Sequence, residues 1–180
     1  MNKILIISFV LLLTFSLTST IHAVDSVHEP SAMISHGGDT DVSREALLKK
    51  RVISRVLSKY NSTLTDQAEV FVDAAIKYDI DPYLVVSISG LESFFGRFMV
   101  PGNYNAWGWG GGYIGLESWE NAITTISKAL HERYYGRGAE TLADVGRIYA
   151  ESPTWAVRVQ FFIDQFYKEE SRLQKLDELL

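Results

Sequence analysis

The chain has 180 residues, no cysteine and a formal charge of −5. Without cysteine it holds neither disulfides nor thiolate-bound metal. An acidic balance with no lysine/arginine stripe excludes a nucleic-acid-binding face, which needs cations against phosphate.

In chain order, the short charged start Asn2-Lys3 precedes a nearly unbroken apolar run from Ile4 to Leu17, and small residues end at Ala23. This is the layout of a secretory signal peptide. The run is shorter than the ~20 apolar residues that span a bilayer, so export with cleavage after Ala23 is expected, an uncleaved anchor being the alternative. Residues 24–42 are polar, carry Pro30 and Gly37-Gly38, and read as a linker. Residues 43–180 then form one domain of ordinary size.

From Ser43 the pattern is helical, with Leu47, Leu48, Val52, Ile53, Val56 and Leu57 at three- and four-residue spacings. After a break at Asn61-Ser62, Thr65 is positioned to cap a second helix to Tyr78. Asp81-Pro82 marks the start of a third, running to Phe95 with Gly96 as its left-handed end. Residues 97–117 hold too many glycines for a helix and predict a tight hairpin or loop. Ser118 caps a fourth helix striped by Trp119, Ala122, Ile123, Ile126 and Leu130. Thr141 opens a short helix to Tyr149, and Thr154 a longer one through Trp155, Val159, Phe162, Ile163 and Phe166. Its charged tail, from Lys168, is expected to extend into solvent. The fold class is mainly α, with one small hairpin or loop insertion after the third helix.

Glu92 stands out. It falls four residues after Ile88 and three before Phe95, on a stripe with Val85 and Leu91. A carboxylate there is either a boundary charge, paired with a cation such as Arg97, or a group at a cleft edge. Partial burial disfavours a charged carboxyl, the condition for a general acid working near neutral pH. Periodicity alone leaves both readings open.

The surrounding motifs carry a resemblance. "AAIKYDIDPYLVVSISGLESFFGR", then "YNAWGW", "SWENAI" and "IYAESPTWAVRV" resemble the lysozyme-like superfamily, nearest to bacterial glucosaminidases and soluble lytic transglycosylases. The motifs fall at Glu92-Ser93, Asn105 to Gly108, Ser118 to Glu120, and Tyr149-Ala150 to Trp155, and the likeness covers roughly residues 66 to 167. The resemblance implies an α+β lysozyme-like fold and an enzyme that cuts the β-linked glycan strands of peptidoglycan, with Glu92 as general acid. It also implies that Tyr149 orients a substrate group or the attacking species, the alternative being a core tyrosine that ends a short helix.

Tyr104, Trp107, Trp109 and Tyr113 offer aromatic faces for sugar rings, or equally a packed core beneath the loop. Asn105 either shapes the loop through backbone bonds or touches substrate. Glu117 is the one carboxylate between the asparagine motif and Ser118; it reads as a charge beside a helix N-terminus rather than as a second catalytic acid. Single-glutamate chemistry then remains, with the substrate's own N-acetyl group or a hydroxyl attacking the sugar carbon. His22, His28, His36 and His131 lack metal-ligand spacing, and Asp144 and Glu151 read as solvated charges. The expectation is a secreted enzyme of the cell wall or periplasm, monomeric and without metal or cofactor, whose partner is an N-acetylhexosamine glycan. The alternative is a glycan-binding module that keeps the groove without turnover.

Overall fold

The computed structural model describes residues 37–150 and 152–179. The signal peptide read over residues 1–23, linker residues 24–36 and Glu151 lie outside them. Among the described residues the domain is mainly helical and contains no strand. The helices are α1 (Gly37–Lys59), α2 (Ala68–Tyr78), α3 (Leu84–Ser93), α4 (Trp119–Ala129), α5 (Leu142–Tyr149) and α6 (Trp155–Asp177). The insertion after α3 is accordingly a loop, with one 3₁₀ turn at Trp109–Gly112. Helix α1 begins at Gly37, inside the stretch read as linker.

Helix α3 is the centre of the fold. Residues 83–90 are all buried, α6 and α4 pack against the helix, and Trp107 Nε1–H donates to the Val85 carbonyl at 2.8 Å. A helix apolar on nearly every side has to be enclosed. Its start is later than the Asp81-Pro82 signal predicts: the Asp81 carboxylate accepts the Tyr83 N–H at 2.7 Å, a local turn that competes with the helix.

Its end also departs from expectation. The helix stops at Ser93, and Phe94 (φ 53°), Phe95 (φ 58°) and Gly96 (φ 78°) are successively left-handed. Two phenylalanines in that region are strained, and the reversal lays the Phe95 ring back over Gly90. A Cβ on Gly90 would lie 2.7 Å from the Phe95 ring and 3.1 Å from that of Phe162. Gly90→Ala gains ~1 kcal/mol of helix propensity against an overpacking cost of ~1–3 kcal/mol. We expect a net loss of about 1 kcal/mol by urea unfolding; a gain would mean the rings swing aside freely.

The helix caps divide. Ser118 accepts the Asn121 N–H at 3.1 Å, and Thr141 forms a reciprocal capping box with Asp144. Asp144 is therefore more than a solvated charge: the Thr141 hydroxyl and backbone bonds hold its carboxyl at about 2. Thr65 and Thr154 do not cap. Thr65 sits in a 3₁₀ turn and donates to the Ser62 carbonyl, and α6 starts with no side-chain cap.

The α6 tail, expected in solvent, packs on α1 instead. Leu173 is buried, and so are Glu169 and Glu170. Glu169 accepts bonds from Arg55 and Lys59 of α1 and from Arg172. Glu170 accepts from Lys49 at 2.7 Å and from the buried Tyr83 hydroxyl at 3.0 Å. Burial and the Glu170 carboxylate push the Tyr83 phenol far above its ordinary value. The charge run serves to clamp the first helix to the last.

Candidate active site

Glu92 occupies the last turn of α3, where the helix leaves the core. It is exposed, not partly buried. Helix α3 is enclosed almost all round, so three- and four-residue spacing does not single out an inward face. Nor is Glu92 paired with Arg97, which donates to the Tyr60 carbonyl at 3.3 Å. Its Oε1 accepts the indole Nε1–H of Trp155 at 2.9 Å. Its Oε2 faces Gly108, where an added Cβ would stand 3.6 Å away. The glycine, at φ 63°, is in the left-handed region, and its backbone runs beside that oxygen.

The neighbouring residue explains why a serine follows the glutamate. The buried Ser93 hydroxyl accepts the Gly96 N–H at 2.8 Å and donates to the Ala106 carbonyl at 2.8 Å. One side chain therefore ties the left-handed helix end to the glycine-rich loop and fixes where Glu92 emerges.

Trp155, at the first position of α6, continues the site. Its ring stacks on Tyr149 with centroids 4.9 Å apart and planes at 26°, and Trp109 lies beyond, 6.4 Å from Tyr149. The Tyr149 hydroxyl donates to the Trp107 carbonyl at 2.8 Å. Desolvation first, then the Glu92 charge, push this phenol well above its ordinary range. Tyr149 thus stays protonated, its donor committed to the loop backbone, and offers only oxygen lone pairs to a ligand.

The remaining residues singled out by sequence fall elsewhere. Trp107 is fully enclosed, packed near Phe71 and Trp119; its ring belongs to the core and cannot be a sugar platform. Asn105 is buried, bonding the backbone of Trp109 and Ile114 at 2.9 Å in three bonds. All its side-chain donors and its oxygen are engaged with the loop, which removes it from substrate contact. Tyr104 stands edge-on to Trp119 at 5.2 Å, against α4. Tyr113 is 95 % exposed on the loop, and Glu117 is exposed beside the Ser118 cap. The fold therefore gathers Glu92, Trp155, Tyr149 and Trp109 and leaves Tyr104, Asn105, Trp107 and Tyr113 apart. Among the described residues no group of histidine and carboxylate side chains is arranged to hold a metal ion.

Two depressions border this cluster. On the loop side, Gly108, Trp109, Tyr149 and Arg133 line one of about 340 Å³. On the other side, Glu92 shares a largely apolar groove of about 430 Å³ with Leu91, Phe94, Phe98, Arg158 and Phe161. Sequence reasoning missed this second groove and the Trp155–Glu92 bond. The signal was present: Phe161, which lines the groove, lies off the Trp155–Val159–Ile163–Phe166 stripe of α6 and is exposed.

No protein-family model matches the chain, and no curated protein matches it.

Trp155→Phe keeps the stacked ring but removes the N–H. A hydrogen bond to a charged group contributes ~1.5–3 kcal/mol. If Glu92 is the reacting group, turnover falls by roughly ten-fold or more while KM changes little. An unchanged turnover beside a lowered Tm would make the Trp155 bond purely structural.

Proposed function

We propose that this protein is an exported glycosidase of lysozyme-like fold that cleaves the β-1,4-linked glycan strands of peptidoglycan, with Glu92 as general acid. One observation carries the reading. An exposed carboxylate is held at a fixed angle between an aromatic stack and an apolar groove, with one oxygen tied to Trp155 and the other open beside Gly108.

The bound oxygen is the acceptor of the Trp155 N–H, so a proton carried by Glu92 resides on Oε2. From there it passes to the glycosidic oxygen as the bond from that oxygen to the sugar carbon breaks. Trp155 fixes the direction of transfer and Gly108 leaves room for the leaving sugar. Glu117 is exposed beside the Ser118 cap, and the chemistry proposed uses Glu92 alone. The sugar's own N-acetyl oxygen or a ring hydroxyl then captures the electron-poor carbon. The first route gives hydrolysis after water enters; the second gives an anhydro end.

Incubating the purified protein with peptidoglycan tests this. Soluble sugar-containing fragments are expected. Cell-wall sedimentation without fragment release would make the domain a binding module, and neither release nor sedimentation would overturn both.

A further inference from the structure

We propose that the face built from the segment after α3 and the outer side of α6 docks on an anionic phospholipid bilayer. Phe98 and Phe161 enter the headgroup layer, and the cations around them meet lipid phosphates. The inference goes beyond the glycosidase reading and does not depend on it.

The face is apolar where it projects. Phe98 is 72 % and Phe161 61 % exposed, and both line the groove that also holds Leu91 and Phe94. Val157, one helical turn before Phe161, is 71 % exposed on the same side of α6. Apolar side chains gathered in this way mark a surface that something covers. Cations border them. The exposed Arg97 guanidinium lies 5.6 Å from the Phe94 ring centre and 5.7 Å from that of Phe98, and Arg158 lines the groove itself. The face continues through Tyr60, whose ring lies 6.4 Å from that of Phe162 and whose hydroxyl donates to Gln165. It ends where Arg55, Lys59 and Arg172 converge on Glu169. That carboxylate is 5 % exposed while its three cations are about half exposed, so it is positive charge that reaches the surface. Glu92 and Asp164 are exposed acids beside these cations, and they are outnumbered. In a chain of net charge −5, this face is locally basic.

Apolar rings among arginines suit a bilayer surface, where the rings sink towards the acyl chains and the charges stay at the level of the phosphates. The groove has little to bond a polypeptide. Ser93 is spent on backbone bonds, and one oxygen of Glu92 holds Trp155. An acyl layer needs no such partner, because burial of the rings alone is favourable. Docking here leaves the loop-side depression clear: Gly108, beside the other oxygen of Glu92, lines that depression and not the groove.

Cosedimentation of the purified protein with lipid vesicles tests this, using phosphatidylcholine alone and an equal mixture of phosphatidylcholine and phosphatidylglycerol. The protein is expected to bind the anionic vesicles about ten-fold or more tightly than the neutral ones, and less tightly as salt is raised. Arg158→Gln should cost about five-fold on anionic vesicles and nothing on neutral ones. Phe98→Ser and Phe161→Ser should each cost about ten-fold. All three side chains are exposed, so the variants keep the wild-type Tm. Leu179→Ser, which removes an apolar side chain 81 % exposed past the far end of α6, should leave binding unchanged. Equal binding to both vesicles, binding to neither, or binding that the Phe161 and Arg158 variants leave intact overturns the proposal. A Phe161-dependent dimer seen by light scattering, without vesicle binding, would give the face to a second copy and overturn it too. Peptidoglycan cleavage without vesicle binding removes the bilayer contact and leaves the enzyme reading intact. Vesicle binding that depends on Phe161 and Arg158, in a protein that cleaves nothing, keeps this face and removes the enzyme.

Discussion

Glu92→Gln is expected to lower peptidoglycan turnover by about 10²- to 10⁴-fold, the usual contribution of a positioned general acid, with Tm unchanged. Both halves of that expectation follow from the site. Glutamine has the shape of glutamate, and its amide oxygen still accepts the Trp155 N–H, so the stack of Trp155 on Tyr149 is undisturbed. Glu92 is exposed and makes no ion pair among the described residues, so removing its charge strands no buried partner. What is lost is the carboxyl group's capacity to take up and deliver a proton at the open oxygen. A drop in Tm together with activity would instead point to a structural carboxylate. The two outcomes separate cleanly by thermal melting beside a turnover assay.

The second large effect concerns stability. Glu169 has a side chain only 5 % exposed and is bound by three cations, with Arg172 at 2.6 Å, Lys59 at 2.7 Å and Arg55 at 2.9 Å. Its carboxyl is held down from the ordinary 4.5 to about 2, chiefly by the Arg172 bond and against the opposing effect of burial. A folded value below the unfolded one means that the unfolded state binds protons more readily. The contribution is therefore full above pH 4.5 and disappears as pH falls towards 2. At ~1.4 kcal/mol per unit, and discounted because the three cations are about half exposed, the clamp contributes about 2 kcal/mol at neutral pH. Glu169→Gln should lose that amount by urea unfolding at pH 7. The gap to wild type should close progressively towards pH 2; a gap independent of pH would show that shape, not charge, holds α6 to α1.

Much of the helical frame was legible because it depends on local rules. The stripe of Ala122, Ile123 and Ile126 and the caps at Ser118 and Thr141 place α4 and α5 where the structure has them. What escaped was decided by tertiary contact. Nothing local makes Phe94 and Phe95 left-handed; the reversal is held by Ser93 and by the fit of the Phe95 ring onto Gly90. The charge run after Lys168 has the composition of a solvated tail, and only the facing lysines and arginine of α1 bury its two glutamates. Four aromatics near Glu92 were equivalent in sequence. The loop separates them by turning Trp107 inward and Trp109 towards Tyr149, a choice set by the three bonds from the Asn105 side chain. Glu92 is singled out as a candidate by its motif context, while its exposure and its tryptophan partner required three dimensions.

The most direct test of the account is mass spectrometry of the sugar ends produced when wild type and Glu92→Gln are incubated side by side with purified peptidoglycan. Wild type is expected to generate new reducing or anhydro sugar ends, and Glu92→Gln almost none. Equal yields of new ends from both proteins, or fragments that are peptides without a newly cut sugar bond, would contradict it.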